Sequence, residues 1–485
     1  MCRAPLLLLN PSLASNVMKR AVPVALLLLL AGCTAVGPEM QTPNTPEATQ
    51  LFASDAGLEV ASLANWWRQF NDPVLNALIE QGLAASPTVD AALARLRAAR
   101  AEREGSEANF YPQFTANGNY VWSRNWGNAQ SNGWNRRLSA SVDASWEIDI
   151  FGGLQRSLEQ AAAREARLAY SLQDVRVSLA AEIASTYVAV RRYEGQIAIA
   201  EANLALQERN VELVKKRHSS GDVIRYDVVT AEAQAARTRA SLPQYRKNLI
   251  DASLKLDWLT GQAPYAYKAK IAETQDTMHL PELPPKAIPS ELLRRRADIR
   301  MAEADIAAQT AAVGVTEAEL YPKFSIGGSI GVSSPDLTPW ESYTRSINFG
   351  PSVRWNLFSF GYWQRRVEAA KATLDATVAD YCNTVLDAYR ESESAWVTYH
   401  REIERTPALL DAERFCREAL SIAEKRYDLG DIAIDDVITQ QSLLLSAQEN
   451  IVAHRAQLFD NAISLYRSLG GGWTDEHEPT EGETP

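Results

Sequence analysis

The sequence predicts a mainly α-helical protein carrying a membrane β element, built as two copies of one unit. Three observations lead there: an internal duplication, four segments of period-two alternation, and four long stretches of heptad pattern. Trp146, Phe151 and Gly152 recur 209 residues later as Trp355, Phe360 and Gly361. Lys216-Arg217, Gly221-Asp222 and Asp227-Val228 recur as Lys425-Arg426, Gly430-Asp431 and Asp436-Val437. Leu249, Leu256 and Gly261 recur as Leu458, Leu465 and Gly470, while Tyr111-Pro112-x-Phe114 returns as Tyr321-Pro322-x-Phe324, shifted by one residue. A period this long marks a duplicated structural unit rather than a short solenoid repeat. Each copy runs helix, strand pair, long helix, helix.

At the N-terminus, Lys19-Arg20 precede an apolar run, Ala21 to Leu30, that leads into Leu30-Ala31-Gly32-Cys33. A basic region, a short apolar region and small residues at a processing point read as a signal peptide over 1–32, with Met18 as the better start. The run is shorter than the ~20 residues of a permanent membrane helix. Leu-Ala-Gly-Cys looks like a bacterial lipobox, which would make Cys33 a lipidated first residue. Thr34, rather than Asp, follows it. Residues 33–60 then read as a lipidated tether rich in Pro, Thr and Glu near its start. The first repeat spans 61–261, a linker 262–290, the second repeat 291–473, and an acidic, disordered tail 474–485.

Composition limits the chemistry. Apolar content of 46% is that of a folded protein, and a net charge of −11 makes nucleic acid a poor partner. Five His and four Cys, none clustered, leave little for a metal site or a disulfide frame. Cys382 and Cys416 read as unpaired thiols in packed helices. No phosphate loop, nucleophile elbow, zinc spacing or isolated carboxylate pair stands out, so no catalytic or metal residue is expected and the protein is not read as an enzyme.

The strands are expected at about 112–124, 137–149, 322–333 and 345–358. Leu138, Ala140, Val142, Ala144, Trp146 and Ile148 alternate with Ser139, Ser141, Asp143, Ser145 and Glu147. Ile347, Phe349, Pro351, Val353, Trp355 and Leu357 alternate with Asn348, Ser352, Arg354 and Asn356. Each is preceded by a partner, Phe114 to Trp122 and Phe324 to Val332, across Gly-, Asn- and Pro-rich loops at 125–136 and 334–343. An ordinary reading is a half-buried sheet packed on helices. A membrane barrel fits better: the strands are ~11 residues long, and the wet faces carry Asp143, Glu147 and Arg354. Seven of the twelve Trp (Trp122, Trp126, Trp134, Trp146, Trp340, Trp355, Trp363) lie in or beside them. Single-chain barrels begin at about eight strands, and an open edge cannot stand in lipid. Three chains would supply twelve strands.

The long helices follow. From Gly153 to about Arg217 there is no Pro, and such a helix would run ~100 Å at 1.5 Å per residue. Ile183, Val190, Ile197, Leu204 and Val211 recur every seven residues, as do Leu242, Leu249 and Leu256 on the return. Tyr389, Trp396, Ile403 and Leu410 do so between Tyr362 and Tyr427, and Ile451, Leu458 and Leu465 after the second turn. Pro407 should kink or break its helix. Each hairpin turns at a Gly, Gly221 or Gly430, suited to a left-handed C-terminal cap. Asp227 and Asp436 lie near the start of the returning helices, where a carboxylate meets the positive dipole end.

Together with the lipobox, Trp66-Trp67, Asn71-Asp72-Pro73, the two Tyr-Pro-x-Phe strand starts, the two Arg-x-x-x-Gly-x5-Asp-Val tips and the closing Leu469-Gly470-Gly471-Gly472-Trp473 form a set. The chain resembles the TolC-like outer membrane efflux proteins, in their lipidated NodT/OprM-like branch, over nearly the whole mature sequence. One departure is Arg295-Arg296-Ala297-Asp298, where the family often has Arg-Arg-Pro-Asp; Pro87 sits at the equivalent place in the first copy.

The resemblance implies a homotrimeric conduit in the outer membrane, a twelve-stranded β-barrel continued by a helical barrel with a large periplasmic part. It implies a periplasmic adaptor protein and an inner-membrane transporter of the resistance-nodulation-division type as partners, and no cofactor beyond a covalent lipid on Cys33. Carried over by position, adaptor docking falls on Ser220, Gly221 and Asp222 and on Leu429, Gly430 and Asp431. The family's constriction acid falls on Asp436, with Tyr427 and Asp435 beside it. Export of protein or polysaccharide is the alternative cargo class, and a periplasmic coiled-coil scaffold lipoprotein the alternative architecture.

Overall fold

The computed structural model describes residues 35–41, 63–124, 134–267, 278–281, 295–335 and 343–473. A 3-10 turn, Trp66–Phe70, leads into α1 (Pro73–Ala85) and α2 (Pro87–Ala108). Then come β1 (Gln113–Arg124), β2 (Trp134–Ile148), α3 (Gly153–Ser219) and α4 (Arg225–Leu259). The second copy repeats the order as α5 (Ala297–Ala318), β3 (Lys323–Ser334), β4 (Thr344–Arg354), α6 (Tyr362–Asp428) and α7 (Ile434–Ser468). The duplication extends to lengths: α2 and α5 are 22 residues each, α3 and α6 are 67, and α4 and α7 are 35. Cys33, Trp126, Trp340 and the acidic tail lie outside the described residues.

The chain divides into two compact units. The first holds the sheet, an antiparallel meander in the order β1-β2-β3-β4. Its register places Phe114 opposite Ala144, Val142 opposite Ile330, and Ile330 opposite Ile347. Cross-strand partners share a face, so every apolar position of the alternation within the ladder falls on one side. Phe114 is 73% exposed and Phe349 81%, so this apolar face is bare in the single chain. The opposite face is small and polar. Asp143 accepts hydrogen bonds there from Asn117 (2.7 Å) and Ser141 (2.9 Å), the Ser325 and Ser352 hydroxyls pair at 2.7 Å, and Asn348 donates to Ser329 at 3.2 Å. The sheet packs through its own strands and is not half-buried on helices. β1 and β4 leave an unpaired edge on each side.

The two copies match down to single bonds at the helix-proximal end of the sheet. The Trp146 indole N–H donates to the Phe110 carbonyl at 2.8 Å, and Trp355 donates to Leu320 at 3.0 Å. Each acceptor immediately precedes a Tyr-Pro pair. β4 stops at Arg354, short of the expected 358, which leaves Trp355 and Leu357 outside the ladder. Arg354 pairs with Lys323, and the next partner back would be Pro322, which has no N–H to give.

The second unit is helical. Its core gathers Trp66 (fully buried), stacked on Tyr466 at 5.8 Å, with Phe70 and Phe459 beside it. Asp72 caps α1 by accepting the N–H groups of Val74 (2.8 Å) and Leu75 (3.1 Å), with Pro73 in the first helical position. Its second oxygen accepts the Tyr187 hydroxyl at 2.8 Å, and Arg191 donates back to that hydroxyl at 2.8 and 3.0 Å. The Trp66-Trp67 and Asn71-Asp72-Pro73 motifs are therefore structural. Arg296, nearly buried, bonds Asp298, Glu391 and the Ser468 carbonyl. α5 starts at Ala297 without the Pro, since that position needs no donor. α6 runs through Pro407 as one continuous helix, so of the expected kink or break the break is absent. One lost bond is a small fraction of a 67-residue ladder. Cys382 and Cys416 are free thiols.

Candidate functional site

The two hairpin tips lie in the second unit and are built alike. At the first, the Asp222 N–H donates to the Arg217 carbonyl (2.9 Å) and Gly221 to His218 (3.1 Å); at the second, Asp431 donates to Arg426 (2.9 Å) and Gly430 to Tyr427 (3.0 Å). Each is a Schellman cap, and its left-handed residue is Gly221 (φ 85°) or Gly430 (φ 81°). Ser219 and Ser220 hydroxyls add bonds to the Lys216 carbonyl. Ser220, Gly221, Asp222, Leu429, Gly430 and Asp431 are all exposed. Leu429 is 79% exposed, and Ile224 and Tyr226 are likewise open at the first tip.

Below the tips the hairpins share one core of Val214, Val228, Ala231, Leu420, Ala423, Tyr427, Ile434 and Val437. This brings Arg217 of α3 onto α6. Its guanidinium lies 4.4 Å over the Tyr427 ring and 3.9 Å from the Asp428 carboxylate. The Tyr427 ring is buried, and its hydroxyl has no hydrogen-bond partner among the described residues. Burial, together with the negative charge of Asp428, holds the Glu424 carboxyl above its usual range. Sequence reasoning missed Arg217 as a partner of Tyr427. The available signal was the repeated basic pair, Lys216-Arg217 and Lys425-Arg426, ahead of each tip.

The equivalent acids of the two hairpins differ. Asp227 reaches back to accept the Ile224 N–H at 3.2 Å, a cap on the first turn of α4. The Asp436 carboxylate, at the matching place on α7, has no hydrogen-bond or ion-pair partner among the described residues, and the residue is exposed beside an exposed Asp435. The second tip thus presents two adjacent free carboxylates where the first presents one that is engaged. Among the described residues no group of His, Cys, Asp or Glu is arranged to hold a metal ion, and no helix is long and apolar enough to cross a membrane.

A duplicated helix–hairpin unit with a one-sided apolar sheet and long paired helices is the architecture of an outer membrane channel subunit. The outer membrane efflux protein family matches residues 78–262 and 288–471, and the chain belongs to that family. Nodulation protein T of Rhizobium leguminosarum bv. trifolii is 29% identical over 92% of this chain and 96% of its own length. The toluene efflux pump outer membrane protein TtgC of Pseudomonas putida is 27% identical over 92% of this chain and 94% of its own. The solved outer-membrane channel OprN is 33% identical, with a TM-score of 0.80 over 90% of this chain and 99% of that one. Its function is that of an outer membrane efflux channel, in a family of channel proteins rather than enzymes.

Proposed function

We propose that three copies of this chain form a passive conduit that exports small molecules across the outer membrane, as the channel of a tripartite pump. The observation that carries this reading is the sheet: one bare apolar face, one hydroxyl- and amide-lined face, and two open edges. Lipid leaves no unpaired strand edge stable, and single-chain barrels need about eight strands. Twelve strands from three chains would close the barrel, apolar face outward and polar face toward the lumen.

The tips would meet a periplasmic adaptor protein through Ser220, Gly221, Asp222, Leu429, Gly430 and Asp431, with Ile224 and Tyr226 adding apolar surface. An inner-membrane transporter of the resistance-nodulation-division type would feed the conduit. Asp436 and Asp435 would line the periplasmic constriction, where threefold repetition makes a ring of carboxylates. Tyr427 would hold the closed position through Arg217. The test is a planar bilayer recording of the purified protein. Discrete channels with cation-sensitive conductance are expected; a protein that inserts but conducts nothing contradicts the reading.

Cys33 would carry the lipid. Val36 donates to the Phe151 carbonyl at 3.0 Å, and Arg156 donates to the Val36 carbonyl at 3.0 Å. These bonds tie the segment just after Cys33 to the helix-proximal end of the sheet, where an inner-leaflet acyl chain would enter. The anchor and the barrel are separate features, so Cys33→Ser behind an ordinary cleavable signal should still insert and assemble. A variant found entirely soluble in the periplasm would contradict the barrel.

A further inference from the structure

The apolar face of the sheet ends, at the hairpin side, in arginines. Trp122 pairs with Arg136 and Arg124 with Trp134 across β1 and β2, and Arg345 pairs with Val332 across β3 and β4. All three arginines therefore share the face of Phe114, Ile330 and Phe349, not the polar one. Each stacks on an exposed aromatic ring: Arg136 at 5.4 Å from the Trp122 centroid, Arg124 at 5.9 Å from Trp134, and Arg345 at 5.0 Å from Tyr343. Arg345 also donates to the Tyr343 hydroxyl at 3.0 Å. The strands' Asp143 and Glu147 lie on the other face, and no Asp or Glu lies on this face among the described strand residues. In a chain of net charge −11, a rim whose described charges are all cationic stands out on this face.

The duplication repeats it. Arg136 and Trp134 recur at the 209-residue offset as Arg345 and Tyr343. Each arginine lies ten residues ahead of the Trp at the helix-proximal end, Trp146 or Trp355. Ten residues of strand rise ~33 Å, which at a tilt of 35–45° is ~25 Å across the membrane, the height of a barrel's apolar band. The arginines sit one apolar band away from the helix-proximal girdle, where headgroups begin.

We propose that Arg124, Arg136 and Arg345, braced on Trp122, Trp134 and Tyr343, bind the phosphate groups of anionic lipid headgroups in the outer leaflet. This rests on the lipid-facing assignment made under the proposed function. The guanidinium fork suits phosphate oxygens, the amphipathic rings suit a membrane–water interface, and the helices joined to the other end of the sheet put this rim on the outer side.

Native mass spectrometry of the full-length assembled protein tests it, with a bisphosphorylated glycolipid (lipid A) and its enzymatically dephosphorylated form as probes. The wild type should retain the bisphosphorylated lipid and release the dephosphorylated one. R124Q/R136Q/R345Q should weaken retention about tenfold or more, while R137Q on the polar face should leave it unchanged. R124K/R136K/R345K keeps the charge and should retain most of it. Heat-modifiable migration confirms that each variant has assembled, and R345Q alone, with a partial loss, serves if the triple variant does not. Equal retention of both lipids, or undiminished retention by the glutamine variants, overturns the proposal. A wild-type protein that does not enter lipid at all overturns the lipid-facing assignment beneath it.

Discussion

The sharpest functional contrast sits at two aspartates one repeat apart. Asp227 places its carboxylate on the Ile224 N–H, whereas the Asp436 carboxylate has no partner among the described residues. Asp436→Ala should therefore raise single-channel conductance and weaken block by multivalent cations, because a ring of charge leaves a low-dielectric constriction. Asp227→Ala should mainly cost stability, about 1 kcal/mol for a lost cap. Equal conductance changes in the two variants would remove Asp436 from the gate. Buried acids elsewhere give a pH signature. Burial holds the Asp460 carboxyl above its ordinary pKa, and one of its oxygens has no hydrogen-bond partner among the described residues. With the folded pKa above the unfolded one, the ionised form costs stability at neutral pH, and the cost vanishes as pH falls to the unfolded value. Asp460→Asn should raise the melting temperature at pH 7.5 by on the order of 2 °C, and the gain should disappear near pH 4. A gain that grows on acidification would contradict this. The capping role of Asp227 was legible from its distance to the tip glycine. The grip of Arg217 on Tyr427 was not, because it depends on which hairpins pack together.

At the scale of elements, period-two alternation located all four strands, since an apolar face opposite a polar one writes a strong strand pattern. Ladder ends were less legible. β2 begins at Trp134 because β1 runs on to Arg124 opposite it, and β4 ends where Pro322 removes a donor. The heptads located the helices, and α6 runs unbroken through Pro407. The two faces make opposite demands that substitution can expose. Ile330→Arg, mid-strand on the apolar face, should cost about 2–4 kcal/mol and reduce assembled protein sharply. Ser329→Arg, its neighbour on the polar face, should assemble normally and alter conductance instead. Heat-modifiable migration reads the first outcome and bilayer recording the second; the reverse pattern would invert the assignment of faces.

For the whole molecule, the duplication was the most legible feature, because whole elements recur with their caps and lengths. What one chain's sequence states only by counting is the assembly: four strands, two open edges, and an apolar face left bare by the described residues. The closed channel, the proposed gate ring and the proposed lipid-facing rim all depend on how many chains close that sheet. The most direct test is the native mass of the full-length protein purified in mild detergent. A stable trimer is expected, and no stable monomer without denaturation. A stable monomer, or a dimer with eight strands, would contradict it.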